Sequence, residues 1–128
     1  MAEKIHILVT CADMRLHNKD GYNVKSDVEE LFDLPNTYLI TAPGPDHKDR
    51  QAAVLDGIRT FSTVKEIETI VLVPHENCAG HPCSPDEHEK DTRVLAQEIQ
   101  KLLPDADIKA ALATIETDTL WGLEEIVL

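Results

Sequence analysis

Apolar residues in this chain come in short, nearly unbroken runs, separated by segments with helical spacing. Ile5-His6-Ile7-Leu8-Val9-Thr10 is the first run. A run with so little alternation suits a strand buried on both faces of a parallel sheet. Thr37-Tyr38-Leu39-Ile40-Thr41, Thr69-Ile70-Val71-Leu72-Val73 and Ile108 to Ile115 predict three more strands. Between the first two strands lies a polar turn, Asn18-Lys19-Asp20-Gly21, and then Ser26, which can cap a helix over Asp27 to Phe32 with Glu29 at capping-box spacing. Leu34-Pro35-Asn36 ends that helix. Ala52, Ala53, Leu55, Ile58 and Phe61 predict a helix over about residues 48–62. Ser84-Pro85-Asp86-Glu87 reads as the cap and acidic first turn of a third helix. It runs to about Leu103, turns Val94, Leu95, Ile99, Leu102 and Leu103 inward, and stops at Pro104-Asp105. Glu116-Thr117-Asp118 predicts a polar turn. Leu123 to Leu128 predicts a fifth strand, antiparallel at an edge because the connection to it is short.

Strands alternating with helices predict an α/β fold: one domain over residues 1–128, with no repeat or linker. Right-handed crossovers make the sheet mostly parallel. The expected order of the four parallel strands is 2-1-3-4, with the C-terminal edge strand added and helices on both faces. Ligands of such sheets bind beyond the carboxyl ends of the strands, where the order reverses. In the order 2-1-3-4 the first and third strands are neighbours, so their exit loops diverge around one crevice.

Composition narrows the picture in three ways. A chain of 128 residues builds one core. With aromatic content at 4%, that core must be aliphatic. The formal net charge of −12 serves solubility and argues against nucleic acid or an acidic membrane as partner. No secretory segment precedes the first strand, and no apolar run approaches the roughly 20 residues that span a bilayer. A cytoplasmic protein is expected, in which the three cysteines are ligands or nucleophiles rather than disulfides.

The chemistry gathers at the two exit loops. His75-Glu76-Asn77-Cys78 follows the third strand and sets an imidazole and a thiol three positions apart, on one side of a tight turn. Cys11-Ala12-Asp13-Met14-Arg15 follows the first strand, and in an extended segment Cys11, Asp13 and Arg15 point to one side. Cys11 alone reads as a small buried hydrophobe. With His75 and Cys78 it makes a set of two thiolates and one imidazole, which suits tetrahedral Zn²⁺. Three protein ligands leave one position for water or substrate. Asp13, paired with Arg15, can orient a water there; unpaired, it can close the site. A rival set, His75, Cys78, His81 and Cys83, could form a structural zinc knuckle without Cys11. His88 reads as a solvated residue at an exposed helix start, with proton shuttling as a second role. His6 reads as a satisfied histidine, Gly80 as a turn requirement and Trp121 as a packing residue. His17 and His47 carry no pattern.

Cys11-x-Asp13-x-Arg15 followed by His75-x-x-Cys78, each after a strand of an α/β chain, resembles the β-class carbonic anhydrases. The resemblance covers most of the chain. It implies zinc held by Cys11, His75 and Cys78, an Asp13–Arg15 dyad in the catalytic site, and reversible hydration of carbon dioxide through zinc-bound hydroxide. It also implies a homodimer or larger assembly. The chain departs from the family pattern at Ala79, where glycine is usual, and at Ala42-Pro43-Gly44 after the second strand. It has no counterpart of the family's substrate-binding glutamine, and it opens at the first strand instead of at a helical arm. Related chains of this fold hydrolyse carbon disulfide or carbonyl sulfide, so the expected substrate is a small linear molecule, carbon dioxide first. A non-catalytic zinc-binding protein of this fold, and a metal-free thiol protein using Cys78 and Cys83, are the alternatives.

Overall fold

The computed structural model describes residues 4–17, 22–35, 37–115 and 121–128. Its strands are β1 (Lys4–Cys11), β2 (Thr37–Ala42), β3 (Glu66–Val73), β4 (Asp107–Ile115) and β5 (Trp121–Ile126). Its helices are α1 (Val24–Phe32), α2 (Gln51–Ser62) and α3 (Pro85–Leu102). The strands form one sheet in the order β2-β1-β3-β4-β5. The pairings β1–β2, β1–β3 and β3–β4 are parallel, and β5 runs antiparallel along β4. This is the α/β architecture that the alternation of strand and helix patterns predicts.

Both faces of the sheet are covered, which is why its central strands need no polar alternation. On one face Ile5, Ile7, Val9, Ile70 and Leu72 pack with Val54 and Ile58 of α2 and with Leu95 and Ile99 of α3. On the other, Leu8, Val71, Val73, Ala111 and Ala113 pack with Val24 and Val28 of α1, with Leu16 and with Trp121. Among the described residues no helix is long and apolar enough to cross a membrane.

Several boundaries move from their expected places, each for a local reason. Helix α1 begins at Val24, three residues before Asp27, because the Asn23 side chain accepts from the Ser26 N–H and is the cap. Starting there puts Val24 and Val28 on one buried stripe. Glu29 then closes no capping box; it takes Lys25 and the Thr37 N–H instead. The helix stops at Asp33, whose φ of 54° is left-handed. Helix α2 starts at Gln51 rather than near 48, after turns through residues 45–50. Strand β3 starts at Glu66: its entry alternates Glu66 out, Ile67 in, Glu68 out, and only its later half is an apolar run. Ser84 and Glu87 form a full capping box at the start of α3. The inner stripe of α3 is His88, Thr92, Leu95, Ala96 and Ile99. Val94 lies off that stripe and is exposed, contrary to expectation. Strand β5 begins at Trp121 and ends at Ile126, leaving Val127 and Leu128 outside it. The polar turns expected at 18–21 and 116–118 lie outside the described residues, as does Asn36.

Candidate metal centre

Cys11 is the last residue of β1 and pairs with Ala42, the last of β2. Beyond β3 the chain stays attached to the sheet. His75 bridges to Ala113 of β4, the Ala113 N–H donates to the Pro74 carbonyl, and the Glu76 N–H donates to that of Ala113. These bonds hold the His75 ring fully buried. Its Nδ1 donates to the Glu76 carbonyl at 2.7 Å. That bond fixes the tautomer and leaves a lone pair on Nε2. Nε2 is buried with no hydrogen-bond partner among the described residues. Asn77, at φ 56°, then turns the chain back and delivers Cys78. The Cys11 and Cys78 sulfurs are 3.7 Å apart. One ligand atom from each of Cys11, His75 and Cys78 lies within 4.8 Å of the other two. The three-residue set expected from the sequence thus converges, although its members come from two distant loops.

Electrostatics mark the same spot. The Cys11 thiol is pulled down chiefly by the hydrogen bond with Cys78; burial opposes this, and the backbone N–H groups of Gly44 and Asp13 assist. Cys78 is pushed up by the neighbouring Cys11 sulfur and by burial. Burial and the closeness of the two sulfurs oppose ionisation of both at once. A divalent cation would let both sulfurs ionise and would satisfy His75 Nε2, whose isolation otherwise costs about 1–3 kcal/mol. The residues therefore fit a thiophilic divalent metal.

Asp13 and Arg15 sit beside this cluster. They do not lie along one extended segment, because Arg15 is in a 3₁₀ turn, Met14–Leu16, that Asp13 caps. Asp13 Oδ1 accepts from the Arg15 N–H at 2.9 Å, and Oδ2 accepts from Arg15 Nη2 at 2.7 Å. This contact holds the Asp13 carboxyl below its ordinary value. Oδ2 is also 3.9 Å from His75 Nε2. Arg15 in turn donates to the Asn77 carbonyl at 2.9 Å and lies over the Trp121 ring. An open cleft of about 400 Å³ runs past Cys11, Ala12, Asp13, Met14, Pro43, Ala79 and Gly80.

Other candidates fall elsewhere. His81 and Cys83 do not join His75 and Cys78; they gather with His88. His88 is not solvated. It is fully buried, and its Nδ1 donates to Asp46 Oδ2 at 2.6 Å. His6 is not satisfied, since its Nδ1 is buried without a partner. Gly80 is outside the left-handed region and is glycine for closeness instead: an added Cβ would meet the Pro43 carbonyl carbon at 2.6 Å. Trp121 packs as expected, but against His75, edge-on at 5.8 Å. His17, which carries no sequence signal, bonds the Cys11 carbonyl at 2.8 Å. Asp46 also went unmarked; nothing local in Pro43-Gly44-Pro45-Asp46 announces a partner 42 positions away.

A family model described as "Putative carbonic anhydrase" matches residues 1–120 of the chain. No curated protein matches it.

Proposed function

The chain belongs to the carbonic anhydrase family matched above, and from that premise we propose that it is a zinc-dependent lyase that hydrates carbon dioxide reversibly to bicarbonate. Cys11, His75 and Cys78 hold the zinc in this reading. The observation that carries it is the buried, unpartnered His75 Nε2 set against two sulfurs 3.7 Å apart. Bound zinc supplies Lewis acidity, which brings water within reach of ionisation near neutral pH. Two thiolates would cancel the charge of the cation, so the acidification would be weaker than with three neutral histidine ligands.

The chain's own residues do the rest. Asp13 stays a carboxylate because Arg15 grips it, so it is an acceptor that orients the attacking water and cannot donate a competing proton. Arg15 is itself anchored by the Asn77 carbonyl and Trp121, which keeps Asp13 turned to one position. Met14, Pro43 and Ala79 give the cleft apolar walls, suited to a small, linear, uncharged substrate. Those walls serve carbon disulfide or carbonyl sulfide equally well, so hydrolysis of these is the second reading on the same residues. A cytoplasmic homodimer or larger assembly belongs to the proposal; light scattering measures it.

The test is stopped-flow hydration by the zinc-loaded chain, beside Asp13→Asn and beside elemental analysis. Catalysis above the buffer rate that Asp13→Asn removes supports the proposal. A rate equal to buffer alone rejects the activity, and elemental analysis then shows whether the metal site stands without it.

A further inference from the structure

A second group of side chains of metal-ligating type begins at His81, directly after Gly80. A ring nitrogen of His81, the Cys83 sulfur and a ring nitrogen of His88 lie within 4.8 Å of one another. None of the three belongs to the Cys11, His75 and Cys78 set. Cys83 immediately precedes Ser84, the cap of α3, and His88 is in the first turns of that helix. The capping box fixes the helix start, so the Cys83–His88 spacing is set by backbone geometry.

Each imidazole is oriented by a carboxylate. His88 Nδ1 donates to Asp46 Oδ2 at 2.6 Å, and His81 Nε2 donates to Asp91 Oδ2 at 2.6 Å. A carboxylate on one ring nitrogen leaves the other as a lone pair, which is how metal-ligating histidines are commonly held. In His88 that free atom is Nε2. It is buried and has no hydrogen-bond partner among the described residues, in a side chain with no solvent exposure. Asp46 is 2% exposed, and its Oδ1 is likewise buried and unpartnered. Two lone-pair atoms are thus stranded in a polar cluster, where unmet hydrogen-bonding capacity is costly. Burial first, and then the carboxylates of Asp46, Glu87 and Asp91, push the Cys83 thiol up, so a cation beside it is what would let it ionise.

We propose that His81, Cys83 and His88 bind a second divalent metal ion of the zinc type, with Asp46 and Asp91 orienting the two histidines. Two imidazoles and one thiolate select a borderline-soft ion over magnesium or calcium. Binding sends the Cys83 proton to solvent. The ion would fasten the start of α3 and, through Asp46, the loop between β2 and α2. Its role is structural, and it does not depend on the activity proposed for the first site.

The experiment is zinc stoichiometry of the full chain, loaded with zinc chloride and desalted, beside Cys83→Ser. Cys83 is partly exposed, so serine there preserves the fold. Two ions in the wild type and one in Cys83→Ser support the proposal. One ion in the wild type and none in Cys83→Ser also support it, and would overturn the first site instead. Equal stoichiometry in the two proteins overturns it. A readout without mutation is alkylation of Cys83 at alkaline pH, located by peptide mass. Zinc should slow this labelling about tenfold or more, with a chelator restoring it, because a metal-bound thiolate is a poor nucleophile for the reagent. Labelling of Cys83 that zinc leaves unchanged overturns the proposal.

Discussion

Gly44 and Gly80 lie so close that neither has room for a side-chain carbon. A Cβ on Gly44 would sit 2.8 Å from the Gly80 carbonyl carbon, and one on Gly80 would sit 2.8 Å from the Gly44 nitrogen. The contact presses the loop after β2 against the loop after β3. It also brings the Gly44 N–H to Cys11 and the Gly80 N–H to Cys78, so both sulfurs receive backbone hydrogen bonds from this junction. Gly44 adds a second demand, a φ of 60°.

Gly44→Ala should therefore lose more than about 1 kcal/mol, since alanine meets both a left-handed dihedral that it rarely adopts and a clash. Gly80→Ala meets only the clash, but with backbone, which cannot swing aside. Both variants should also bind zinc more weakly, through displaced amides. Urea titration and a zinc competition assay measure the two effects. Wild-type stability in Gly44→Ala would mean that the loops have slack.

The Asp13–Arg15 pair should matter to rate more than to metal content. Arg15→Gln frees the Asp13 carboxylate from its clamp while leaving Cys11, His75 and Cys78 untouched. Hydration should fall about a hundredfold, the scale of a misplaced proton-transfer partner. Zinc content should stay at the wild-type value. Stopped-flow rates beside elemental analysis separate these outcomes, and loss of zinc in Arg15→Gln would show Arg15 to be structural.

The same pair gives acid sensitivity with a definite sign. Arg15 lowers the folded pKa of Asp13 below its ordinary value of 3.8. A depressed carboxylate contributes stability that is fully present above the unfolded value. That contribution is lost as pH falls through the folded one. Wild-type protein should thus exceed Asp13→Asn in stability by a constant amount near neutrality. The gap should close as pH drops below 3.8. Denaturant midpoints of the metal-free proteins across pH measure it; a gap that widens in acid would reverse the assignment.

Much of the fold was legible because its signals are local. Apolar runs marked β1 and β2 closely, and Ser84 with Glu87 marked the start of α3. The convergence of Cys11, His75 and Cys78 was legible because Cys11 and His75 each follow a run that reads as a buried strand, and topology does the rest. What escaped reading depends on contacts distant in sequence. His88 looks exposed in sequence because a polar residue near an acidic helix start carries no local sign of burial; its buried partner, Asp46, is 42 positions away. Ser26 lost its cap role to Asn23, as both are good caps and only the packing of Val24 chooses between them. Gly80 reads as a turn residue, since sequence cannot show that the Pro43–Gly44 backbone lies against it.

His75 offers the sharpest separation of metal binding from packing. Without metal its Nε2 is a buried atom with no partner, and this isolation costs the fold about 1–3 kcal/mol. Leucine at this position loses the bond from Nδ1 to the Glu76 carbonyl, together with the edge contact on Trp121. It also removes the stranded nitrogen. The two effects oppose each other, so His75→Leu in chelator should match chelated wild type to within about 1 kcal/mol. In zinc the two proteins should part. Wild type gains stability by mass action, about 4 kcal/mol at a free zinc concentration a thousandfold above Kd. The variant keeps only the share that comes from ions bound elsewhere in the chain. Melting each protein with zinc and with chelator gives the four values needed. An equal zinc-dependent gain in wild type and His75→Leu would show that His75 holds no metal, and a large loss confined to chelated His75→Leu would show that the ring is there to pack.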